Sequence, residues 1–269
     1  MWLPWEHGIA LAAIFYILGR SVSDQRVVPV AREATLVAVL YSLWQLAGQV
    51  SLLSIDNALA RGVAIWEFER AMGLPSELTL QEWLIPYSSA TQAANFYYAG
   101  AHVPAMGLFI VWLFARHRDA YPAWRNSLAI VTGVSLIIQL IPVAPPRLTD
   151  ETQMIDTGIA YGQSLYGVLG RGIAGQLQAM PSIHVAWAAL IGWAVWEVSS
   201  SRLRVLGPLH FAITFVVVAV TGNHYWLDGI AAIALLVAAR WSGLRLHEFF
   251  GAQQREPISP APTALESFA

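Results

Sequence analysis

Cysteine and lysine are both absent from this chain of 269 residues, and only 12% of its residues carry charge. Without cysteine there is no disulfide framework, no thiolate nucleophile and no thiolate metal site. Chemistry therefore falls to histidine, carboxylates, hydroxyls and arginine, which supplies all 15 basic residues. A soluble domain carries about 25% charged and about 45–50% apolar residues, whereas 57% of this chain is hydrophobic. That balance excludes a water-soluble globular enzyme, a disordered chain and a nucleic-acid-binding surface. The net charge of -2 points to no particular partner.

What the chain has instead is apolar runs. A hydrocarbon layer about 30 Å thick takes roughly 20 mostly apolar residues per helix. Such runs lie at Pro4–Leu18, Thr35–Ile55, Ala94–Ala115, Leu128–Val143, His184–Val198, Leu206–Val220 and Tyr225–Trp241. They predict an all-α fold, a polytopic integral membrane bundle of six or seven transmembrane helices, with the first run the weakest. That run is no secretory signal, because Arg20 follows the apolar stretch instead of preceding it.

Cytoplasmic loops collect arginine. Arg20, Arg26 and Arg32, then Arg116, Arg118 and Arg125, then Arg202 and Arg204, and last Arg240, Arg245 and Arg255 fall in alternate connections, against Arg61, Arg70, Arg147 and Arg171 in the others. The larger set marks the cytoplasmic side. The loops around Pro145–Pro181 and Gly222–Tyr225 are then expected outside, on a bacterial plasma membrane protein with a cytoplasmic C-terminus. Residues 1–250 read as a single membrane-embedded domain, and 251–269, rich in Pro, Ala and Ser, as a disordered cytoplasmic tail. Residues 56–89 mix Trp66, Phe68, Leu74 and Trp83 with Glu67, Glu69, Arg70, Glu77 and Glu82, which predicts an interfacial amphipathic cap. The plainer reading is a solvated cap with a hydrophobic underside.

Ionisable side chains in or beside a span are expensive, so several at one depth mark a site. His224 and Asp228 stand four residues apart where the last run opens, hence on one helix face. An aspartate on one imidazole nitrogen orients the other as a base or nucleophile; alone, the pair also reads as a hydrogen-bonded helix end. Pro181 and Ser182 are helix-start signals just before His184. A helix N-terminus with a hydroxyl beside it suits a phosphate, although His184 by itself also reads as an interfacial histidine. Arg147 follows Pro145 and Pro146 at the end of the fourth run. Its planar fork suits phosphate oxygens, and its bland reading is a snorkelling arginine. Asn95, Tyr98 and His102 share one face of the third run, as lining for a substrate pocket or as interhelical hydrogen-bonding groups.

Taken in order, Pro-Pro-Arg147, Pro181-Ser-Ile-His184 and His224-Tyr-Trp-Leu-Asp228 resemble the three signature motifs of the type 2 phosphatidic acid phosphatase superfamily. Their form is similar to the branch containing inositol phosphorylceramide synthase and sphingomyelin synthase. The resemblance covers Ile141 to about Trp241. It implies that His224 is a nucleophile forming a phosphohistidine, that Asp228 orients it, and that His184 is the general acid and then the general base. It also implies that Arg147 and Ser182 hold the phosphate, and that no metal or cofactor is used. Hydrolytic members carry a Lys upstream of the first motif and a Ser-Arg pair before the last His, where this chain has Phe215-Val-Val-Val-Ala-Val-Thr-Gly-Asn223. Arg171 is a candidate for the missing cation. The expected activity is transfer of a phosphoryl headgroup such as phosphoinositol between membrane lipids. Phosphatase action on lipid or polyprenyl phosphates is the alternative, and a non-catalytic lipid-binding or transport protein is the second.

Overall fold

The computed structural model describes residues 4–24, 27–47, 55–163 and 173–253. Arg171 and residues 254–269 of the expected tail lie outside the described residues. The long helices are α1 (Trp5–Ser21), α2 (Val27–Ala47), α3 (Ile55–Ala71), α4 (Glu77–Leu84), α5 (Ser88–Gly100), α6 (His102–Arg116), α7 (Tyr121–Ile138), α8 (Ile183–Val198), α9 (Leu206–Val220) and α10 (Trp226–Gln253). Single helical turns interrupt the connection from α7 to α8. Among the described residues the fold is all-α, and its β pairing is a parallel bridge of Val143 with Gln178.

Proline chemistry explains several boundaries. Pro122 sits at the start of α7, where a missing N–H costs nothing. Pro142, Pro145 and Pro146 follow α7, so the helix ends at Ile138 and the remainder of the expected span Leu128–Val143 is a turn at Gln139 and Leu140 and a bend at Ile141 that lead into the Val143 bridge. The expected single span Ala94–Ala115 is two helices, α5 and α6, bent by 51° at their junction. Pro104 accounts for the bend, since it cannot donate to the carbonyl of Gly100 and its ring clashes there. The apolar-run reading misses this because hydropathy is blind to backbone hydrogen bonding.

The core lies between α6, α7, α8, α9 and α10, around Phe109, Leu113, Trp124, Val131, Leu190 and Leu236. Helices α8 and α9 approach closely at two glycines. A Cβ on Gly207 would stand 3.2 Å from the Gly192 Cα, so side chains at either position would prise the helices apart. Glu33 of α2 accepts from Tyr121 (3.0 Å) and Arg125 (3.2 Å), tying the α1–α2 pair to α7. Among the described residues, Arg202–Val220 is long and apolar enough to cross a membrane, and α5 with α6 qualifies as a second segment if the bent pair is one span.

Backbone hydrogen bonds stitch the three motif segments together at one end of this core. The Val143 N–H donates to Leu177 (2.7 Å) and the Ala179 N–H donates to Val143 (3.2 Å). The Arg147 N–H donates to Gly222 (2.9 Å), and the Ser182 N–H donates to the Asp228 carbonyl (3.1 Å).

Candidate functional site

His224 sits in the turn between α9 and α10. Gly222 makes that turn with φ of +69°, a left-handed conformation that favours glycine. The His224 ring is buried, and its Nδ1 lies 2.8 Å from the Ala179 carbonyl and 3.3 Å from Asp228 Oδ2. A carbonyl only accepts, so Nδ1 carries the hydrogen and, in the neutral ring, Nε2 keeps its lone pair. That Nε2 faces His184 Nδ1 at 3.4 Å. Asp228 is fully buried, and its Oδ2 also accepts from the Tyr225 N–H at 2.9 Å.

His184 lies in the first turn of α8. Ser182 caps that helix, its hydroxyl oxygen accepting from the Val185 N–H at 3.3 Å, and it has no exposed surface. The His102 and Tyr98 rings flank His184, with centroids 4.2 and 4.7 Å away. His102 is buried with its Nε2 unpartnered.

Arg147 stands in a 3-10 turn at Pro146–Leu148, closed by Thr149 and Thr152 hydroxyls that donate to the Pro145 (3.1 Å) and Pro146 (2.8 Å) carbonyls. Its buried guanidinium meets Asp156 at 3.0 Å and donates to Gln176 Oε1 at 3.4 Å. A Cβ on Gly222 would stand 3.0 Å from the Arg147 Cβ, so the arginine turn packs directly on the histidine turn.

The structure thus brings His224, His184, Asp228 and Ser182 together, adjoins Arg147 through Gly222, and adds Tyr98 and His102 around His184. Asn95 is engaged elsewhere. It donates to the Thr157 carbonyl (3.0 Å) and Gln163 Oε1 (3.1 Å), and its Oδ1 accepts from the Thr157 hydroxyl (2.7 Å). The expected common face of Asn95, Tyr98 and His102 is therefore divided within α5, Asn95 turning to Thr157 and Gln163 while the Tyr98 and His102 rings meet across the α5–α6 bend, centroids 6.1 Å apart.

Three groups escape the sequence reading. The Ala179 carbonyl, which sets the His224 tautomer, leaves no mark in the sequence because any residue has one. Glu69 and Glu77, fully buried, accept the Leu227 (2.7 Å) and Trp226 (3.1 Å) N–H groups at the start of α10. The segment 56–89 thus turns polar groups inward, with Glu69, Glu77 and Gln81 buried while Phe68, Met72 and Trp83 are exposed. A signal did exist for Glu69, since Ala58, Gly62 and Glu69 share the α3 face at spacings of four and seven, and a Cβ on Gly62 would stand 2.9 Å from the Ala144 carbonyl.

Two imidazoles and a carboxylate beside a buried arginine define a site suited to nucleophilic chemistry on a phosphate ester. The chain belongs to the PAP2 superfamily, whose family profile matches residues 63–242. Membership points to phosphatase or phosphotransferase activity on phosphate esters. Neither a curated protein nor a solved structure matches the chain.

Proposed function

We propose that this protein is a membrane-embedded lipid phosphotransferase working through a phosphohistidine on His224 at the extracytoplasmic face. The observation that carries the reading is the His224 ring itself, whose Nδ1 is tied to Ala179 and Asp228 while Nε2 faces His184. In the first step Nε2 attacks phosphorus, the P–N bond forms as the bond to the lipid oxygen breaks, and protonated His184 gives that oxygen its proton. An acceptor hydroxyl then gives its proton to His184 and attacks phosphorus, and the P–N bond breaks. Arg147 holds the phosphoryl oxygens with the Ser182 hydroxyl, the phosphate competing with Asp156 for the guanidinium. Tyr98 and His102 flank the general acid where the acceptor arrives.

The absence of the hydrolytic Lys and Ser-Arg features supports transfer of a headgroup such as phosphoinositol over hydrolysis. Phosphatase action is the second reading, favoured by the superfamily's usual activity. Phosphorus NMR of the protein in lipid nanodiscs, offered phosphatidylinositol, phosphatidic acid and a polyprenyl phosphate with alcohol acceptors, separates the two. A new phosphodiester signal that His224→Ala lacks establishes transfer. Inorganic phosphate alone, also lost in His224→Ala, establishes hydrolysis. Full turnover in both His184→Ala and His224→Ala on a verified substrate would end both readings, while ligand binding without turnover would make the chain a lipid-binding or transport protein.

A further inference from the structure

The first turn of a helix presents N–H groups with no partner inside the helix. At α10 the N-cap position is Tyr225, whose side chain does not cap, since its hydroxyl is bonded to Thr149 at 3.0 Å. Three carboxyl groups from three helices meet the need instead. Asp228 accepts from the Tyr225 N–H (2.9 Å), Glu77 from Trp226 (3.1 Å) and Glu69 from Leu227 (2.7 Å). All three residues are fully buried. Arg70 is the cation beside them, its Nη2 3.1 Å from Glu77 and 3.7 Å from Glu69.

We propose that Glu69 and Glu77 are positioning residues for the His224–Asp228 pair, holding the first turn of α10 by its backbone so that the Asp228 carboxylate stays on His224. The inference rests on the reading of His224 as nucleophile. Asp228 Oδ2 serves both His224 and Tyr225, and its Oδ1 is buried without a partner. If either glutamate is replaced by a group that cannot accept, an uncapped N–H lies one or two residues from Asp228. Asp228 Oδ1, buried without a partner, is a spare acceptor in the same turn, and an aspartate drawn to the orphaned N–H must turn from His224 Nδ1. An orphaned buried N–H is costly enough to drive such a shift.

The charge arrangement fits the same role. Glu69, Glu77 and Asp228 face one another with Arg70, the His224 ring and the Tyr225 hydroxyl as the other ionisable groups around them. Burial first, and the Glu77 carboxyl second, push Glu69 up to about 9, so it is protonated at neutral pH. A protonated carboxyl keeps a carbonyl oxygen for the Leu227 N–H, and so does an amide. The cap therefore works without adding a further negative charge beside the nucleophile.

The test compares Glu69→Gln, Glu69→Met and Glu77→Met in nanodiscs. Two quantities are measured: turnover of the phosphatidylinositol or phosphatidic acid found to react, and the rate at which diethylpyrocarbonate acylates His224, followed by mass spectrometry. Methionine fills the space but accepts no N–H. The methionine variants are expected to lose about 10–100-fold in kcat with KM within about twofold, and to change the His224 acylation rate as Asp228→Asn does. Glu69→Gln is expected to match the wild type in both at neutral pH and to lack the wild-type change in rate near pH 9. Wild-type kcat and acylation in both methionine variants would overturn the proposal. So would a tenfold loss in Glu69→Gln at neutral pH, a result that decides the matter even if the methionine variants do not fold. If His224 is not the nucleophile, turnover is indifferent to His224→Ala while its acylation still responds to Glu69, so the two failures are distinguishable.

Discussion

The Ala179 carbonyl changes what Asp228 has to do. In a triad where the aspartate alone fixes the tautomer, its amide replacement costs about 10⁴-fold. Here Nδ1 donates to Ala179 at 2.8 Å, closer than to Asp228 at 3.3 Å, so the tautomer survives loss of the carboxylate charge. Asp228→Asn should therefore lower kcat by only about 10²-fold, through lost stabilisation of the imidazolium; steady-state kinetics showing a loss of 10⁴-fold would place tautomer control on Asp228 after all. Glu69 gives a second residue-scale prediction, in stability. Its carboxyl is raised from the ordinary 4.5 to about 9 by burial and by Glu77. Between those values the folded state keeps a proton that the unfolded state has released, so stability falls as pH rises. Glu69→Gln lacks this penalty, and its melting temperature should gain on the wild type between about pH 5 and pH 8 in detergent-solubilised protein. A constant difference across that range would remove the protonated carboxyl. At this scale the residues of the three motifs were legible because each is a rare polar type beside an apolar run. The Asp156 partner of Arg147 was not, since its role depends on a loop folding back across the arginine turn.

At the scale of elements, the turn between α9 and α10 bears the site. Gly222 adopts φ of +69° and its α-carbon is pressed on the Arg147 turn, with a hypothetical Cβ 3.0 Å from the Arg147 Cβ. Gly222→Ala should cost about 1–2 kcal/mol from the left-handed backbone alone. It should also raise KM more than it lowers kcat, because the added methyl displaces Arg147, proposed to hold the phosphate, and leaves the His224–Asp228 spacing intact. Thermal unfolding and Michaelis kinetics of this one variant check both parts, and a fall in kcat at constant KM would contradict the assignment of Arg147. Helix existence was readable from apolar runs, and α9 coincides with its expected span at both ends. Helix ends and bends were less so, for the reason seen at Pro104: one ring breaks α5 from α6 without lowering the hydropathy of the run. The polar inner face of α4 was hidden because Glu77 looks like Glu82 until α10 is placed against it, whereas on α3 the Ala58, Gly62 and Glu69 spacing did mark Glu69.

The whole molecule carries large apolar side chains on its outside, among them Ile14 and Ile17 of α1, Leu108 and Val111 of α6, Ile137 of α7 and Val237 of α10. Such a surface in water is an aggregation liability, whereas in lipid it is the expected boundary. This supports a bilayer as the medium, and the sides proposed from the arginine distribution need their own test. Helix α8 runs from the site end at Ile183 to Val198, about 24 Å at 1.5 Å per residue, so in a bundle that spans the membrane as proposed its two ends report opposite sides. The chain has no cysteine, so each introduced one is a unique label. Glu151 lies exposed four residues after Arg147, and Ser200 lies exposed beyond the far end of α8. In intact bacterial cells expressing the protein, Glu151→Cys should react with a membrane-impermeant maleimide and Ser200→Cys only after permeabilisation. The reverse pattern would turn the site to the cytoplasm, where a donor and acceptor of cytoplasmic origin would have to replace the extracytoplasmic lipids proposed here. Equal labelling of both before permeabilisation would deny that the bundle spans the membrane, and the exposed apolar side chains would then need a partner of another kind.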